Sequence, residues 1–541
     1  MPNRPPLVAS YWPASDDQPL VDSTCGDALR EAAGLRPDAV AVVDTGGPFG
    51  SRRRWTYREL LTESEQLARS LAGQFPQGTH VAVFGANSPE WVIAQFALAL
   101  SGLVMVTVNP ALGADELAYI LRQSRSRGIF YQSEYRGVDM RATIEAACDL
   151  NATQLDFMRR LDQLGDLVAE WVPEVSLPTV DSADPAMIQY TSGTTGNPKG
   201  AELSHYSVTN NSRFMAILKE IDETTVNLAV APLFHTAGCV ANVLGSVQSG
   251  STMLLPSAFT ASSMLDLIAE EGVTFTFGVP TMLIALLAEQ EANPRDLSSL
   301  KTVFSGAATV PVDVVRRVEK EFDVSLVIGY GQTETSPAIT HTRLDDTAED
   351  KSETIGYAIP QVEIKIIDTE SGKTLPVGEP GELCTRGFNV MLGYYDNPEA
   401  TRDTIDSEGW LHTGDLCVMD ERGYCRITGR LRDLIIRGGE NIYPREIEEV
   451  LYAHPAIAEV AVIGIRDDYW GEEVGAVMTL APNRKVSGET LREYLGGRLA
   501  KHKIPQYWFA VPEIPSTASG KVQKFKLVEL AEGGELDGHR V

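Results

Sequence analysis

Histidine and cysteine are scarce in this chain, with eight and six among 541 residues. Cys25, Cys148, Cys239, Cys384, Cys417 and Cys425 show no C-x-x-C spacing, which argues against a zinc site or a disulfide framework and for a reducing compartment. Positive charge is scarce as well: 46 lysines and arginines face 74 acids, for a formal net charge of −28. Such a surface repels polyanions and excludes a general nucleic-acid or membrane-surface binder, so any phosphate ligand must meet a local basic pocket. Long apolar runs are missing too. The nearest, Trp91 to Val108, is split by Gly102 and holds Gln95 and Thr107, so it reads as a helix followed by a β-branched strand and not as a membrane span. The first nineteen residues contain five prolines but no basic region leading into an apolar core. They read as extended chain without a signal peptide, and the expected location is cytoplasmic.

What is present is an α/β rhythm. Thr56 and Glu59 form a capping box at the start of a helix, and Ser88-Pro89 gives an N-cap followed by proline in the first turn. Val81–Phe84 and Leu103–Val108 flank the second of these helices as short apolar strands. Further buried strands are expected at Asn227–Ala231, Ser251–Leu255, Thr274–Gly278, Thr302–Ser305 and Leu326–Ile328. From about Glu353 the pattern changes to short strands with tight turns, which suggests a small β-barrel over 353–430. After Arg432 helices and strands alternate afresh. The expected fold is therefore α/β, with a large N-terminal domain (1–431) of doubly wound α/β subdomains plus the barrel, and a small mobile α+β domain (432–541).

The segment Tyr190-Thr191-Ser192-Gly193-Thr194-Thr195-Gly196-Asn197-Pro198-Lys199-Gly200 carries three glycines, four hydroxyls besides that of Tyr190, one lysine and no acid. Glycines admit backbone N–H groups close to an anion, hydroxyls add donors, and the lysine supplies a point charge. It is a phosphate cradle in outline but not a Walker loop, because Pro198 stands where the second glycine belongs and Gly200 where the hydroxyl belongs. In isolation such a cluster is as often a surface turn. Four more segments of similar character follow in order: Gly329-Tyr330-Gly331-Gln332-Thr333-Glu334, Leu411-His412-Thr413-Gly414-Asp415, Arg437-Gly438-Gly439-Glu440-Asn441, and Ser516-Thr517-Ala518-Ser519-Gly520-Lys521.

Together these five segments resemble those of the adenylate-forming superfamily of acyl- and aryl-CoA ligases, luciferases and nonribosomal adenylation domains. The resemblance runs from about Trp55 to Lys524, and around Thr191–Asn211 and Arg437–Glu446 it is most like the medium-chain acyl-CoA synthetases. It implies that Thr191, Ser192, Gly193, Thr194, Thr195, Gly196 and Lys199 close on the ATP phosphates, with Glu334 and Thr194 holding Mg²⁺. Tyr330 would stack on adenine and Thr333 meet the α-phosphate, within a nucleotide site that includes Gly306, Ala307, Gly329, Gly331 and Gln332. Asp415 and Arg430 would grip the ribose. Lys521 would bridge the substrate carboxylate and the α-phosphate, offsetting the charge that builds as one anion attacks another. Arg432 falls at the hinge, and Gly438, Gly439 and Glu440 at the pantetheine tunnel of coenzyme A, with Arg437, Lys501 and Lys503 as candidates for its phosphates.

The acyl pocket implied by the same resemblance involves Phe234, His235, Gly238, Cys239, Met282 and Gly331, with His235 also at the thiol entry. Read singly, His235, Asp415, Arg430 and Lys521 would each pass for structural or solvated residues. The pocket-lining segments Phe234–Val243, Gly278–Met282, Ser305–Ala308 and Gly329–Ser336 carry no Asp, Glu, Lys, Arg or His besides His235 and Glu334. An apolar tail is expected, with small residues leaving room for a straight chain or a ring. The implied activity is ATP-dependent conversion of a carboxylic acid, a medium-chain fatty acid first of all, to acyl-CoA through an acyl-adenylate, releasing AMP and pyrophosphate. An aryl or other apolar carboxylate ligase, an acyl-carrier-protein ligase, a luciferase-type oxidase and a silent nucleotide-binding sensor stay open at this point. The expected partners are the acid, ATP and CoA, with no nucleic acid and no integral membrane segment, and a homodimer is compatible with the sequence.

Overall fold

The computed structural model describes residues 5–46, 53–164, 175–191, 198–438, 440–467, 469–516 and 522–541. Two large sheets form its body. One has seven strands in the order Gly393–Tyr394, Lys199–Ser204, Pro185–Thr191, Val104–Val108, His80–Phe84, Gly128–Tyr131 and Phe157–Arg160. Pairing is parallel from Pro185–Thr191 onward and antiparallel at the Lys199–Ser204 and Gly393–Tyr394 end. The other has nine strands, whose six central members, Ser325–Gly331, Thr302–Gly306, Phe275–Phe277, Val226–Leu228, Thr252–Leu255 and Val40–Asp44, run parallel. The expected strands fall on these, and the two sheets make the α/β body.

The stretch from Trp91 to Val108 shows how the sequence encodes this arrangement. Ser88 caps the helix Pro89–Leu100, its hydroxyl accepting from the Trp91 amide at 3.2 Å. Nearly every residue of that helix is buried, because it lies in one core with Val81, Val83 and Met105 of the seven-stranded sheet and Val42, Met253 and Leu255 of the nine-stranded sheet. A helix enclosed on both sides must be apolar all round, which is why this stretch mimics a membrane run. Each large side chain buried there stabilises the fold by roughly 1.5–3 kcal/mol, and Trp91, Phe96 and Leu98 are fully enclosed. Thr56 and Glu59 form the expected capping box, the Glu59 carboxylate accepting from the Thr56 amide at 2.8 Å. Among the described residues no helix is long and apolar enough to cross a membrane.

The region expected as a small barrel is an open antiparallel sheet of five strands, Tyr11–Trp12, Val362–Ile367, Gly381–Gly387, Leu411–Met419 and Cys425–Arg430. Its first strand comes from the proline-rich N-terminus, where Tyr11 and Trp12 pair with Lys365 and Ile364. The last strand does not close back on the first among the described residues. Cys425 instead exchanges backbone hydrogen bonds with the Ile355–Gly356 segment at 2.8 and 2.9 Å, which leads into the nine-stranded sheet. Apolar alternation and turns signal antiparallel strands equally in an open and a closed sheet, so the sequence could not separate the two. The single turn Leu431–Asp433, containing Arg432, joins this sheet to a separate five-stranded one built from Ile435–Arg437, Glu440–Ile442, Ile457–Asp467, Gly471–Leu480 and Tyr507–Ala510.

Cys25, Cys239, Cys384, Cys417 and Cys425 are buried free thiols and Cys148 is partly exposed. Burial raises the pKa of all five enclosed thiols, that of Cys239 to about 12. A chromogenic disulfide reagent at mildly alkaline pH should therefore titrate Cys148 alone in the native protein and every cysteine after denaturation. Rapid native reaction of two or more thiols would contradict the packing.

Candidate functional site

The site is assembled where the C-terminal ends of the nine-stranded sheet meet the small antiparallel sheet. Strand Ser325–Gly331 delivers Tyr330, whose hydroxyl donates to Asp415 Oδ2 at 2.5 Å. Arg430 Nε donates to Asp415 Oδ1 at 3.2 Å from the neighbouring strand, where Asp415 and Arg430 are register partners. Three residues singled out from separate motifs are thus brought onto one carboxylate. Desolvation first, and the Asp415 charge second, hold the Tyr330 phenol well above its ordinary pKa, so it stays a donor at any physiological pH. The Tyr330 ring also packs against the core around Phe277 and Phe304, a contact not expected for a tyrosine between two glycines.

The turn carrying Asp415 is fixed by partners that sequence reasoning missed. Glu382 Oε1 accepts from the Gly414 amide at 3.0 Å while Oε2 accepts from His412 Nδ1 at 2.8 Å. Thr413 Oγ1 donates to the Leu383 carbonyl at 2.7 Å and accepts from the Asp415 amide at 3.1 Å. Gly414 has a φ of +70°, which a side chain would strain. Cys384 Sγ lies 3.6 Å from His412 Nδ1, so Glu382, Cys384 and His412 form a cluster with metal-ligand atom types, contrary to the expectation from spacing alone. Pairing of Gly381–Gly387 with Leu411–Met419 creates it, and neither strand shows it alone. Both Glu382 oxygens are already engaged by donors, which accounts for the cluster without an ion.

The second focus is Glu334, buried in the single turn after Gln332. Its Oε1 accepts from Tyr394 OH at 2.7 Å, and Lys199 Nζ lies 5.0 Å over the Tyr394 ring. Lys199 and Thr191 are register partners in the hairpin that frames the glycine-rich stretch. Ser192, Gly193, Thr194, Thr195 and Gly196 lie outside the described residues, as do Gly439 and Lys521. Among the described residues one oxygen of this carboxylate is committed to a tyrosine and the other makes no bond, an arrangement that suits a hard divalent cation, so Glu334 fits the Mg²⁺ role. Asn211 holds the segment behind Glu334, its side chain bonding Thr335 O at 3.3 Å, Ala338 O at 3.0 Å and the Ala338 amide at 3.2 Å. Asn389 adds a bond to Ala338 O at 3.1 Å. Asn389 lies in no segment that the sequence marks, and Asn211 only ends the Thr191–Asn211 stretch, with no role read from it.

Glycines at the site are used for close approach. A Cβ on Gly331 would stand 1.9 Å from the Pro337 carbonyl oxygen, and one on Gly306 would stand 2.7 Å from that of Gly329. Ala307 follows with a φ of +65° and is exposed. Thr333 and Gln332 are half-buried in the turn beyond Gly331.

On the acyl side, Phe234 and His235 are half-buried with ring centroids 4.4 Å apart, and Met282 is half-buried at the start of the helix Pro280–Ala292. Two small residues expected to leave space do not. A Cβ on Gly238 would meet the Pro232 carbonyl oxygen at 2.1 Å, and Cys239 is enclosed, its sulfur accepting from Gln189 Nε2 at 2.8 Å. The cause is a wide π-helical segment, Ala237–Leu244, that folds back on Pro232. Two ionisable groups also lie beside Phe304. Lys219 sits over the Phe304 ring at 4.4 Å, and His341 stacks on the same ring at 5.9 Å. Both come from segments outside the lining that the sequence suggested.

Of the cations expected to meet CoA, Arg437 pairs with the buried Glu473 at 2.7 Å and lies 4.3 Å over Trp470, and Lys503 pairs with Glu446 at 2.6 Å. Their charges are committed within the C-terminal sheet and its helix. Lys501 is exposed. Gly438 has a φ of +59°, and a Cβ there would meet Trp470 at 2.7 Å, so glycine is required locally by the turn and the indole. Glu440 is exposed opposite Arg437 in the same hairpin, and Arg432 is exposed near Asp433. Arg445 Nη2 donates to Thr309 Oγ1, tying the helix Pro444–Tyr452 to the loop after Ala307.

The Glu382 hydrogen bond raises the pKa of His412 above the ordinary imidazole value of 6.5. The folded state therefore binds that proton more tightly, and its stabilising contribution is complete below the ordinary value and fades as pH rises through the raised one. The excess in Tm of the wild type over His412→Asn should be larger in mildly acidic than in mildly alkaline buffer. An excess that grows with pH would contradict the pairing.

With this geometry in hand, comparison with known proteins is direct. Residues 29–395 match the family described as AMP-binding enzyme, and residues 446–521 match the AMP-binding enzyme C-terminal domain. The acyl-CoA synthetase candidate YngI of Bacillus subtilis is 39% identical over 94% of this chain and 97% of its own length. The mitochondrial medium-chain acyl-CoA ligase ACSF2 of Homo sapiens is 33% identical over 97% of this chain and 90% of its own. The crystal structure of the anthranilate CoA ligase AuaEII in complex with anthranoyl-AMP superposes with a TM-score of 0.84 at 28% identity, covering 96% of this chain and 99% of that one.

Proposed function

Because the chain belongs to the AMP-binding enzyme family and is an ATP-dependent acyl-CoA ligase, we propose that its acid is an apolar, medium-chain carboxylate and that the residues above divide the work between two half-reactions. The observation that carries the residue assignment is the convergence of Tyr330 and Arg430 on Asp415. In this reading Asp415 accepts from the ribose hydroxyls, with Tyr330 and Arg430 fixing its orientation and Gly306 and Ala307 leaving room for the base. Thr191 and Lys199, with the glycine-rich stretch between them, hold the β- and γ-phosphates. Glu334 and Thr194 would hold Mg²⁺, which supplies charge neutralisation on the phosphates.

In the first half-reaction the acid's carboxylate attacks the α-phosphate, the bond to pyrophosphate breaks, and an acyl-adenylate forms. Thr333 orients the α-phosphate, and Lys521 offsets the negative charge of the approaching pair. In the second, the thiolate of CoA attacks the acyl carbon and AMP leaves. His235 stands at the thiol entry, and the Gly438–Glu440 hairpin forms the wall along which pantetheine enters. We take 1–431 and 432–541 as the two domains, with Arg432 in the turn about which the smaller one rotates between the steps. Phe234 and Met282 of the expected lining, with Phe277, Phe304 and Met215 in the core on which Tyr330 packs, support an apolar acid.

Each buried CH₂ should add about 0.8 kcal/mol, or about fourfold in kcat/KM, until the pocket ends. CoA-dependent AMP release measured on straight-chain acids from butyrate to palmitate should rise through the medium lengths and then level or fall, with malonate and amino acids poor. A maximum at acetate, or strong activity on any amino acid, would overturn the proposal.

A further inference from the structure

Two polar side chains lie against the ring of Phe304 in the nine-stranded sheet. Gly329 is paired with Gly306 on one side and His341 on the other, so these three positions lie at one level and face one way. The absent side chain of Gly329 is replaced by the Phe304 ring, whose Cζ would touch a Cβ there at 2.6 Å, and the ring reaches across to stack on His341. Met215 lies over the same spot, its Cε 3.6 Å from that position. Lys219, the residue that ends the helix His205–Leu218, lays its ammonium over Phe304 at 4.4 Å and Phe275 at 5.4 Å. This level is two residues, roughly 7 Å along the strand, below Gly331 and the turn assigned to the α-phosphate.

Two polar atoms there are not hydrogen-bonded among the described residues. Lys219 is 2% exposed, yet among the described residues its side-chain nitrogen makes no hydrogen bond or ion pair, and burial lowers its pKa to about 7. His341 is also 2% exposed. Its Nδ1 donates to the Thr342 carbonyl, which can only accept, so Nε2 carries the lone pair, and Nε2 is buried without a partner. A buried acceptor without a donor is costly, and the Lys219 nitrogen has only aromatic faces against it. A carboxylate would satisfy the lysine but oppose the Nε2 lone pair, and would add the cost of burying an ion pair. A hydroxyl satisfies both, accepting from the amine and donating to Nε2.

We propose that Lys219 and His341 form a recognition site for a hydroxyl group at the far end of the acid, so that the enzyme's preferred acids are medium-chain ω-hydroxy or otherwise distally hydroxylated carboxylates. This rests on the acyl-CoA ligase reading and specifies the tail of its substrate. The test pairs each straight-chain acid with its ω-hydroxy counterpart, hexanoate with ω-hydroxyhexanoate, octanoate with ω-hydroxyoctanoate and decanoate with ω-hydroxydecanoate, following CoA-dependent AMP release. At one length the ω-hydroxy acid should exceed the plain acid in kcat/KM by about tenfold, the worth of one satisfied buried pair. Lys219→Met and His341→Phe, each retaining bulk, should both collapse that ratio to one or below. Plain acids better at every length in the wild type would overturn the proposal, as would variants that fold but keep the ratio. Should a variant fail to fold, the wild-type comparison decides alone. Absence of AMP release with any acid would instead count against the ligase reading beneath it.

Discussion

Asp415 is the group on which the rest of the site depends. It joins a strand of the nine-stranded sheet, through Tyr330, to two strands of the small antiparallel sheet, its own and that of Arg430. The two contacts differ in weight. Arg430 is 39% exposed in its side chain, so its ion pair is screened and worth at most about 1 kcal/mol. The Tyr330 hydroxyl is desolvated and donates to a charged acceptor, a class of hydrogen bond worth about 1.5–3 kcal/mol. The tyrosine therefore fixes the carboxylate, and the arginine tunes it. Behind both, Glu382, His412 and Thr413 hold the turn from the other side.

A similar division organises the surroundings of Glu334. Among the described residues the buried carboxylate of Glu334 is partnered by a neutral tyrosine, with Lys199 placed over the ring of that tyrosine. Negative charge is thus kept partly uncompensated, which is what a divalent cation needs and what a structural ion pair would have removed. Arg437 and Lys503 show the opposite arrangement, each neutralised by an acid on its own sheet or helix.

The motifs that carry backbone chemistry were legible in the sequence. Thr56 and Ser88 announce helix starts, the strand at Val104 follows from its β-branched run, and Tyr330, Asp415 and Arg430, each picked out in the sequence, meet on one carboxylate. Local signals of this kind survive folding because they act within a few residues. What was not legible depends on pairing between distant strands. Tyr394, Asn211, Asn389 and Glu382 have no distinctive neighbours, and only register places them on Glu334, Ala338 and Gly414. Gly238 and Cys239 looked like open space because small residues permit either a cavity or a close approach, and here the Pro232 carbonyl takes the room. Lys219 and His341 were invisible for the same reason. A lysine one residue past a helix end is normally solvated, and only the position of Phe304 across the sheet shows that this one is enclosed.

If Asp415 holds the nucleoside and Glu334 the metal-bound phosphates, the two carboxylates should separate in binding. Calorimetric titration of AMP, and of ATP with and without Mg²⁺, into the wild type, Asp415→Asn and Glu334→Gln reads this directly. Asp415→Asn is expected to weaken AMP and ATP alike by about tenfold. Glu334→Gln is expected to weaken ATP only when Mg²⁺ is present and to leave AMP affinity as it was. Equal AMP affinity in Asp415→Asn and the wild type would contradict the account.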